Sequence, residues 1–465
     1  MIEDTEDVVQ MSNDKAFLGH PKGLGFLAFT EAWERFSYYG MQTLLVLYMT
    51  SQLLLPGHVE NIAGFEPFKQ LMRDLYGAET TIALASAIFG TYTSLVYLSP
   101  LLGGLIADRF LGRTRTIIMG GTFMALGHFL MAFDVSFLAA LACLVFGAGC
   151  FKGNIASQVG GLYKAGDPRP ADAFQIFYLG INAGVIAAPL ICGTLGQKVG
   201  WHWGFGVAGI GMVVGLMIYL AGRKYLPADP GIGALKHEKR PAFRKHDGLV
   251  LAVLLALLPV LAIAVVGNQQ IFNAYLVWTD ANADFNFLGF DIPSTWLITL
   301  DTIASVSCLV GAVVFWRWWK TFAPEPTEMT KIGIGSIIAV SGLVCLAAAA
   351  YLQQQTGQKI NLGWLIAFHM LNSIGFANVF PVALAMYSRT APPAMGATMI
   401  GIFYLHLFAA NQFVGWLGGQ LEKMPAAEFW LMHAAMAGGA GLVFLLLKPV
   451  LWPILAPKPQ EAPAV

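Results

Sequence analysis

Twelve long apolar stretches constrain this chain more than any other feature of its sequence, because each can cross a lipid bilayer as a helix. A spanning helix needs about 20 mostly apolar residues. The stretches cover residues 23–55, 80–107, 116–133, 136–157, 173–197, 203–220, 249–277, 295–316, 332–352, 362–387, 395–417 and 429–451. Barrel strands would instead alternate apolar and polar residues over about 10 positions. Charged residues make up 12% of the chain, about half the share of a soluble protein. The sequence therefore predicts an all-α integral membrane protein.

The 27 lysine and arginine residues are distributed unevenly between the two sides of these helices. If the N-terminus lies inside, the inner segments carry 20 of them and the outer loops carry 5. Loops rich in lysine and arginine remain on the cytoplasmic side. We therefore predict that both termini are cytoplasmic and that the protein resides in the plasma (inner) membrane.

One long polar segment, residues 223–248, divides the apolar stretches six and six. The predicted units are an N-terminal tail (1–22), a six-helix bundle (23–222), a cytoplasmic linker (223–248), a second six-helix bundle (249–455) and a C-terminal tail (456–465). Two such halves are the plan of a secondary transporter. In that plan the substrate binds near the midplane between the halves, and their rocking alternates access to it.

Several other functional classes find no support in the sequence. It contains no GxxxxGK[ST], HExxH or GxSxG motif, so we predict no ATP-driven pump, no enzyme, no metal and no cofactor. The formal net charge is zero, which gives no overall basic field for a nucleic acid. An ion gradient is the expected energy source, while a channel or a membrane receptor stays open as an alternative.

Three charged residues lie within the first apolar stretch. Glu31 and Arg35 are four residues apart and Glu31 and Glu34 are three apart, so all three share one helix face. A charge inside the bilayer is costly and marks a candidate functional site. Two acids beside one base leave a surplus acid, and we predict that this acid carries a proton. The alternative is a buried ion pair that only holds helices together.

Two further charges lie in the fourth and eighth stretches, one in each half. We predict that Lys152 and Asp301 face each other across the cavity and pair, and that a substrate carboxylate or a proton competes for the pair. Alternatively, Asp301 lies near the membrane surface at a helix start. Four single histidines among apolar residues are predicted to be packing residues, with a role as proton relays as the alternative: His128, His369, His406 and His433.

The loop between the second and third stretches combines glycines with charges. Its residues are Gly103, Gly104, Asp108, Arg109, Gly112 and Arg113. The glycines allow helices to approach closely, and the charges are predicted to latch the cytoplasmic side as part of a gate. A purely topogenic basic loop is the alternative.

With these motifs the sequence resembles the proton-dependent oligopeptide transporter (POT/PTR) family of the major facilitator superfamily. The matching motifs are Glu31-x-x-Glu34-Arg35-Phe36-Ser37-Tyr38-Tyr39-Gly40, Tyr97-Leu98-Ser99-Pro100-x-x-Gly103-Gly104-x-Ile106-Ala107-Asp108-Arg109-x-x-Gly112, the residues around Lys152, and Phe177-Tyr178-x-x-Ile181-Asn182-x-Gly184. The resemblance implies the major facilitator fold, with 12 transmembrane helices in two six-helix bundles. It also implies a monomer that imports di- and tripeptides together with protons.

The resemblance further implies a role for each matching residue. Arg35 and Lys152 would hold the peptide carboxylate, and Glu31 and Glu34 would couple transport to protons. Asn182 would meet the amino end of the peptide. The aromatic residues that would line the pocket are Tyr38, Tyr39, Tyr97 and Phe403.

The chain departs from the family pattern at positions that bear on the substrate. Gln42 and Asn268 replace an ionic pair at the outer gate, and we predict a neutral contact between them. Phe376 replaces the tenth-helix glutamate that normally receives the peptide amine. We predict that Asp301 takes over this role and serves as a proton or amine site of the second half. These changes leave another small solute, amino-acid-like or an organic anion, as the alternative substrate.

Overall fold

The computed structural model describes residues 14–164, 166–229, 245–392 and 395–456. Most of the predicted linker, both ends of the chain and residues 393–394 lie outside these ranges. Within them the chain forms twelve long helices: α1 (Lys22–Tyr48), α2 (Thr81–Ile106), α3 (Arg113–Leu130), α4 (Phe137–Gly161), α5 (Pro170–Ala188), α6 (Trp201–Gly222), α7 (Lys245–Gln269), α8 (Trp296–Trp319), α9 (Glu328–Thr356), α10 (Leu362–Thr390), α11 (Gly396–Gly418) and α12 (Ala426–Leu455).

Each predicted stretch corresponds to one of these helices. Ten of the twelve, in the part of the chain that the structure describes, are long and apolar enough to cross a membrane. The other two are α1 and α3. The first contains Glu31, Glu34 and Arg35, and the second is an 18-residue helix that begins at Arg113. In chain order, α3 lies between two of these spanning helices, α2 and α4. The prediction of an all-α membrane protein is confirmed.

Local sequence signals set several helix boundaries. The side chains of Thr80, Thr327 and Asn361 each accept a hydrogen bond from a backbone N–H in the first turn of α2, α9 and α10. Such side chains satisfy helix N–H groups that have no partner within the helix. Two helices continue beyond a local irregularity. After α5 a π-turn (Pro189–Gly193) leads into Thr194–Lys198, and after α7 a 3-10 turn (Gln270–Phe272) leads into Ala274–Asn282.

Two small elements between the helices were not predicted from the sequence. Phe65–Tyr76 forms an amphipathic helix that buries Phe65 and Met72, and its 12 residues are too few to span a bilayer. Two strands, β1 (Asn286–Phe287) and β2 (Phe290–Asp291), form an antiparallel hairpin between α7 and α8. We call the side of the molecule with this hairpin the hairpin side, and the side where α1 begins and α12 ends the terminal side.

The helices pack as two six-helix bundles with the same internal arrangement. In the first bundle α1 packs against α5 and α6, α2 against α4, and α3 against α4 and α6. In the second bundle α7 packs against α11 and α12, α8 against α10, and α9 against α10 and α12. Adding six to each helix number converts the first set into the second, which indicates a pseudo-twofold relation. The bundles meet where α2 packs against α11 and α5 packs against α8.

Hydrogen bonds join the bundles on the hairpin side. Gln197 Nε2 donates to Ser294 Oγ over 2.8 Å, Trp296 Nε1 donates to Thr194 Oγ1 over 2.9 Å, and Thr299 Oγ1 donates to the carbonyl of Ile186 over 2.9 Å. About two turns farther toward the terminal side, Tyr178 of α5 is 51% exposed. The bundle interface is therefore closed on the hairpin side and less tightly covered along α5 toward the terminal side.

We expect Gly103→Ala to destabilise the protein because it lies where α2 and α4 make backbone contact. An added Cβ would lie 2.0 Å from the carbonyl oxygen of Gly149, so the two helices would have to separate. Forcing a carbon atom into a packed site costs about 1–3 kcal/mol. Gly104→Ala is the matched control, since nothing lies within 4 Å of its added Cβ. Thermal unfolding of purified protein should show a lower Tm for the Gly103 variant only; equal Tm values would contradict this packing.

Candidate functional site

Three charged side chains of α1 form the centre of the site. Arg35 Nε lies 2.8 Å from Glu31 Oε1 and 2.7 Å from Glu34 Oε2. Glu31 is 3% exposed and Glu34 is fully buried. Helix α5 packs closely on this turn, because a Cβ at Gly184 would lie 2.2 Å from the carbonyl of Ala32. The glycine thus lets two helices enclose the charges.

Lys152 of α4 completes the cluster. Its Nζ lies 3.8 Å from the centre of the Tyr38 ring, and Arg35 Cζ lies 5.9 Å from the same ring. Cations are attracted to the face of an aromatic ring. Lys152 also lies within electrostatic range of Glu31, Glu34 and Arg35. The acid surplus that we predicted from α1 alone is therefore cancelled in the folded protein, where two acids accompany two bases.

The glutamates are incompletely satisfied by this arrangement. Glu31 Oε2 and both oxygens of Glu34 accept no hydrogen bond from the described residues. Glu34 Oε2 is near Arg35 Nε, but the contact lacks hydrogen-bond geometry. A buried carboxylate without its full set of donors pays a desolvation cost. Taking up a proton would remove that charge, so these two acids are chemically suited to bind one.

A group of tyrosines surrounds the charges. The Tyr38 and Tyr39 rings lie 5.2 Å apart, and the Tyr39 ring lies 5.8 Å from Phe272 of the second bundle. Tyr97 and Tyr404 lie within electrostatic range of Arg35. Tyr38, Tyr39 and Tyr97 are thus near the cluster, and the pocket role that the resemblance implies for them stays a prediction.

Two tyrosines near the cluster were missed by the sequence analysis. Tyr92 lies within range of Glu34, and its buried hydroxyl has no hydrogen-bond partner among the described residues. Tyr404 lies near Arg35, whereas the predicted pocket residue Phe403 is fully buried against His406 and Tyr387 in the second bundle. Adjacent residues on a helix point about 100° apart, so the choice between Phe403 and Tyr404 required knowledge of the α11 face.

Asp301 makes a different ion pair from the one predicted. Its Oδ1 lies 2.9 Å from Nδ1 of His369 on α10, and it forms no ion pair with Lys152. Nε2 of His369 lies 2.8 Å from the hydroxyl of Tyr275. The Lys152–Asp301 pair is therefore absent from this conformation. His369 is buried with both ring nitrogens partnered, as predicted for a packing histidine, but the sequence alone did not place it beside an acid.

Asn182 lies on α5 one turn from Tyr178. Its Nδ2 donates a hydrogen bond to the carbonyl of Tyr178 over 2.8 Å. This bond occupies one donor of the amide and leaves the side-chain oxygen able to accept from a ligand amine. The predicted role of Asn182 at the amino end of a peptide is compatible with this geometry and stays a prediction.

The predicted contact between Gln42 and Asn268 is absent. Gln42 is buried, and its Oε1 has no hydrogen-bond partner among the described residues. The ring contact between Tyr39 and Phe272 sets the register of α1 and α7. Gln42 comes three residues after Tyr39, and Asn268 comes four residues before Phe272. In two helices that run in the same direction, these offsets place Gln42 and Asn268 about 10 Å apart along the helix axes. The register therefore separates them in this conformation.

The charged loop between α2 and α3 adopts a π-turn at Ala107–Leu111. Asp108 and Arg109 are exposed, and Arg113 is half-buried. A residue from the start of the linker also reaches this place: both carboxylate oxygens of Asp229 accept from the Thr114 N–H, at 3.1 and 3.2 Å. This contact ties the linker to the first turn of α3 and was not predicted. The gating roles of Asp108, Arg109 and Arg113 stay predictions.

Comparisons with known proteins agree with this architecture. A sequence model of the POT family matches residues 114–235 and 246–431, which is more than half of the chain. The chain belongs to the POT family. The resemblance stated from the motifs and the major facilitator fold are thereby confirmed, and the family is one of transporters rather than enzymes.

Individual relatives of this POT-family chain align over almost its whole length. It is 29% identical to an uncharacterized transporter of Bacillus subtilis, over 96% of this chain and 98% of that protein. It is 28% identical to a peptide transporter of Yersinia enterocolitica, over 94% and 96%. It is also 28% identical to a di-/tripeptide transporter of Lactococcus lactis, over 94% and 97%.

Solved structures give the same result. The structure of a POT peptide transporter in complex with sulfate is 25% identical to this chain, with a TM-score of 0.81, and the match covers 98% of this chain and 99% of that one. A variant peptide transporter in complex with alafosfalin is 26% identical, with a TM-score of 0.82 and coverage of 98% and 100%.

Proposed function

We propose that this POT-family chain is a symporter that imports di- and tripeptides together with protons by alternating access. The observation that carries the proposal is the balanced cluster of Glu31, Glu34, Arg35 and Lys152 beside tyrosines near the bundle interface. The relatives named as peptide transporters support the substrate class. The protein would work as a monomer in the plasma (inner) membrane with both termini cytoplasmic, and its energy would come from the proton gradient without ATP or a cofactor.

The charge balance of the cluster explains how peptide and proton uptake would be linked. With both glutamates ionised, the two bases are already neutralised, and a peptide carboxylate would add an uncompensated negative charge. A buried unpaired charge is strongly destabilising. Protonation of Glu31 or Glu34 frees one positive charge for the carboxylate at Arg35 or Lys152. The cluster therefore favours binding the peptide and the proton together over binding the peptide alone.

Residues beyond the cluster would hold the other end of the peptide and control access. Asn182 and Asp301 are our candidates for the peptide amine. The hydrogen bonds of Gln197, Trp296 and Thr299 would break when the hairpin side opens. At the terminal side, Asp108, Arg109 and Arg113 lie on a loop that would close in the same step. Gln42 and Asn268 remain candidates for the gate on the hairpin side.

The proposal predicts that labelled dialanine accumulates in proteoliposomes when an inward proton gradient is imposed. An uncoupler should abolish the accumulation, because the gradient would be its only energy source. Liposomes without protein control for passive entry, and a gradient of opposite direction should give none. Uptake that an uncoupler does not reduce would contradict proton coupling.

One specific observation favours a second substrate class. Phe376 stacks on Phe380 with ring centres 5.5 Å apart and an interplanar angle of 14°, so an aromatic pair occupies the place where the family pattern has a glutamate for the peptide amine. A small organic anion or an amino-acid-like solute would not need that acid. If folded protein fails to accumulate dialanine, uptake of small carboxylates under the same gradient would identify this alternative.

A further inference from the structure

A buried chain of three side chains connects α8, α10 and the helical segment after α7. Asp301 Oδ1 lies 2.9 Å from His369 Nδ1, and His369 Nε2 lies 2.8 Å from the Tyr275 hydroxyl. The side chains of His369 and Tyr275 are fully buried, whereas that of Asp301 is 13% exposed. The chain of contacts thus begins at an accessible carboxylate and ends in the core of the second bundle.

This geometry accommodates two protonation states without losing a hydrogen bond. When His369 is neutral, its Nδ1–H donates to the Asp301 carboxylate and its Nε2 accepts from the Tyr275 hydroxyl. When His369 is protonated, both ring nitrogens donate, and the Tyr275 oxygen changes from donor to acceptor. Uptake of one proton therefore places it on Nε2 and turns the Tyr275 hydroxyl hydrogen away from the ring, and release of the proton reverses both changes.

The charge of the pair changes between these states. A carboxylate beside a neutral imidazole carries a net negative charge, and a carboxylate beside an imidazolium carries none. A net charge at bilayer depth is costly, so the site favours proton uptake when no other cation approaches Asp301. Among the described residues, His369 is the only group that forms an ion pair with Asp301.

Among the described residues, no lysine or arginine of the neighbouring helices forms an ion pair with Asp301, and Arg35 of α1 pairs with Glu31 and Glu34. The basic residues nearest along α9 and α10 are Lys331 and Arg389, which contact Glu325 and Glu328. Other titratable groups on the surrounding helices are Tyr39 of α1, Tyr178 of α5, Cys308 of α8, Cys345 of α9, Tyr404 and His406 of α11, and His433 of α12. None of them carries a fixed positive charge, so the state of Asp301 depends chiefly on His369.

We propose that Asp301 and His369, with Tyr275 behind them, form a second proton-binding site, located in the C-terminal bundle. The proton is taken up from the cavity and resides on the Asp301–His369 pair; in the protonated state Nδ1–H still donates to Asp301, and the added proton is on Nε2. This role for His369 adds a second proton-binding site to the proposed function, and it relies on that function only for the direction of transport. The site is separate from Glu31 and Glu34, so protons would bind in both bundles.

The central test is His369→Gln, because glutamine can hydrogen-bond both neighbours but cannot take up a proton. We expect this variant to exchange dialanine in counterflow, where no net proton movement is needed, at the wild-type rate. Accumulation driven by a proton gradient should fall to the level measured with an uncoupler. Wild-type accumulation with an unchanged pH profile in His369→Gln would overturn the proposal.

His433→Gln is the matched control. His433 is also buried, and its ring nitrogens contact the carbonyl of Phe429 at 2.8 Å and the Gln270 amide at 3.3 Å, both of which are neutral groups. We expect it to behave as wild type in counterflow and in accumulation. If it loses accumulation to the same extent as His369→Gln, the effect belongs to buried histidines in general and the proposal fails.

A proton count tests the site without any substrate. Purified protein in weak buffer is taken from pH ~8 to pH ~5, across the range in which histidine titrates, and the protons bound are measured with an indicator dye. The Asp301→Asn/His369→Gln double variant should bind about one proton fewer than wild type. Equal counts would overturn the second site even if wild type transports dialanine. Conversely, absent dialanine uptake with a reduced proton count would reject only the proposed substrate.

Discussion

Arg35→Ala is expected to abolish proton-driven dialanine uptake and to lower the stability of the protein. The guanidinium contacts Glu31 at 2.8 Å and Glu34 at 2.7 Å, so its removal leaves two buried acids with Lys152 as the remaining base. Breaking a buried ion pair costs about 3–5 kcal/mol. The variant also loses the charge-assisted hydrogen bond to the peptide carboxylate. This weakens the free energy of peptide binding by about 1.5–3 kcal/mol, which corresponds to roughly a ten- to hundredfold loss of affinity.

Stability and binding can be separated with a compensating change. The double variant Arg35→Ala/Glu34→Gln restores the charge balance, so we expect it to recover Tm relative to Arg35→Ala but not dialanine affinity. Arg389→Ala is a control, because Arg389 pairs with Glu328 at 2.8 Å on the terminal side and is 41% exposed. Exposed pairs contribute about 0–1 kcal/mol. Wild-type affinity in Arg35→Ala would contradict our placement of the carboxylate.

Glu34→Gln is expected to uncouple transport while leaving substrate exchange intact. Glu34 is fully buried, and neither of its oxygens accepts a hydrogen bond from the described residues. Glutamine has nearly the same shape but no charge, so it imitates the protonated acid permanently. The cluster then holds two bases and one acid, which favours a substrate carboxylate at every pH. Counterflow of dialanine should persist, and accumulation against a gradient should fall to the level measured with an uncoupler.

The pH dependence of exchange provides a second measurement on the same variant. In wild type, dialanine binding should weaken as the pH rises, because the proposed function has a proton bind to the cluster together with the peptide. In Glu34→Gln this dependence should flatten, because the replaced side chain cannot ionise. Glu31→Gln is the informative comparison, since Glu31 keeps a hydrogen bond to Arg35 and lies in the same cluster. If Glu34→Gln accumulates dialanine with the wild-type pH profile, Glu34 is not the group that couples transport to protons.

Local and periodic features were predictable from the sequence. Apolar length identified all twelve helices, because the bilayer requires each to be long and mostly apolar. The spacing of Glu31, Glu34 and Arg35 placed them on one helix face. In the structure, Arg35 Nε lies 2.8 Å from Glu31 Oε1 and 2.7 Å from Glu34 Oε2. The short helix Phe65–Tyr76 escaped prediction because its alternation of charged and apolar residues resembles an ordinary polar loop.

Contacts between helices were the part that sequence could not supply. The neutrality of the α1 cluster depends on Lys152, which is more than 100 residues away along the chain. That Tyr404 rather than Phe403 lies near the cluster depends on the rotation of α11 about its axis. The separation of Gln42 from Asn268 depends on the register of α1 and α7. Each of these is set by side-chain packing over the whole bundle, and a shift of one turn changes the partners.

The sequence by itself determined that this chain is a twelve-helix membrane transporter with charges inside the bilayer, because apolar length and charge spacing along one helix are local properties. Only the tertiary structure decided which charges meet. It brought Lys152 and Arg35 to the same ring, that of Tyr38, and it paired Asp301 with His369 of α10. The physical reason is that a buried charge is stabilised by the group that helix packing places within a few ångströms of it. That group comes from another helix, and no pattern along the chain specifies it.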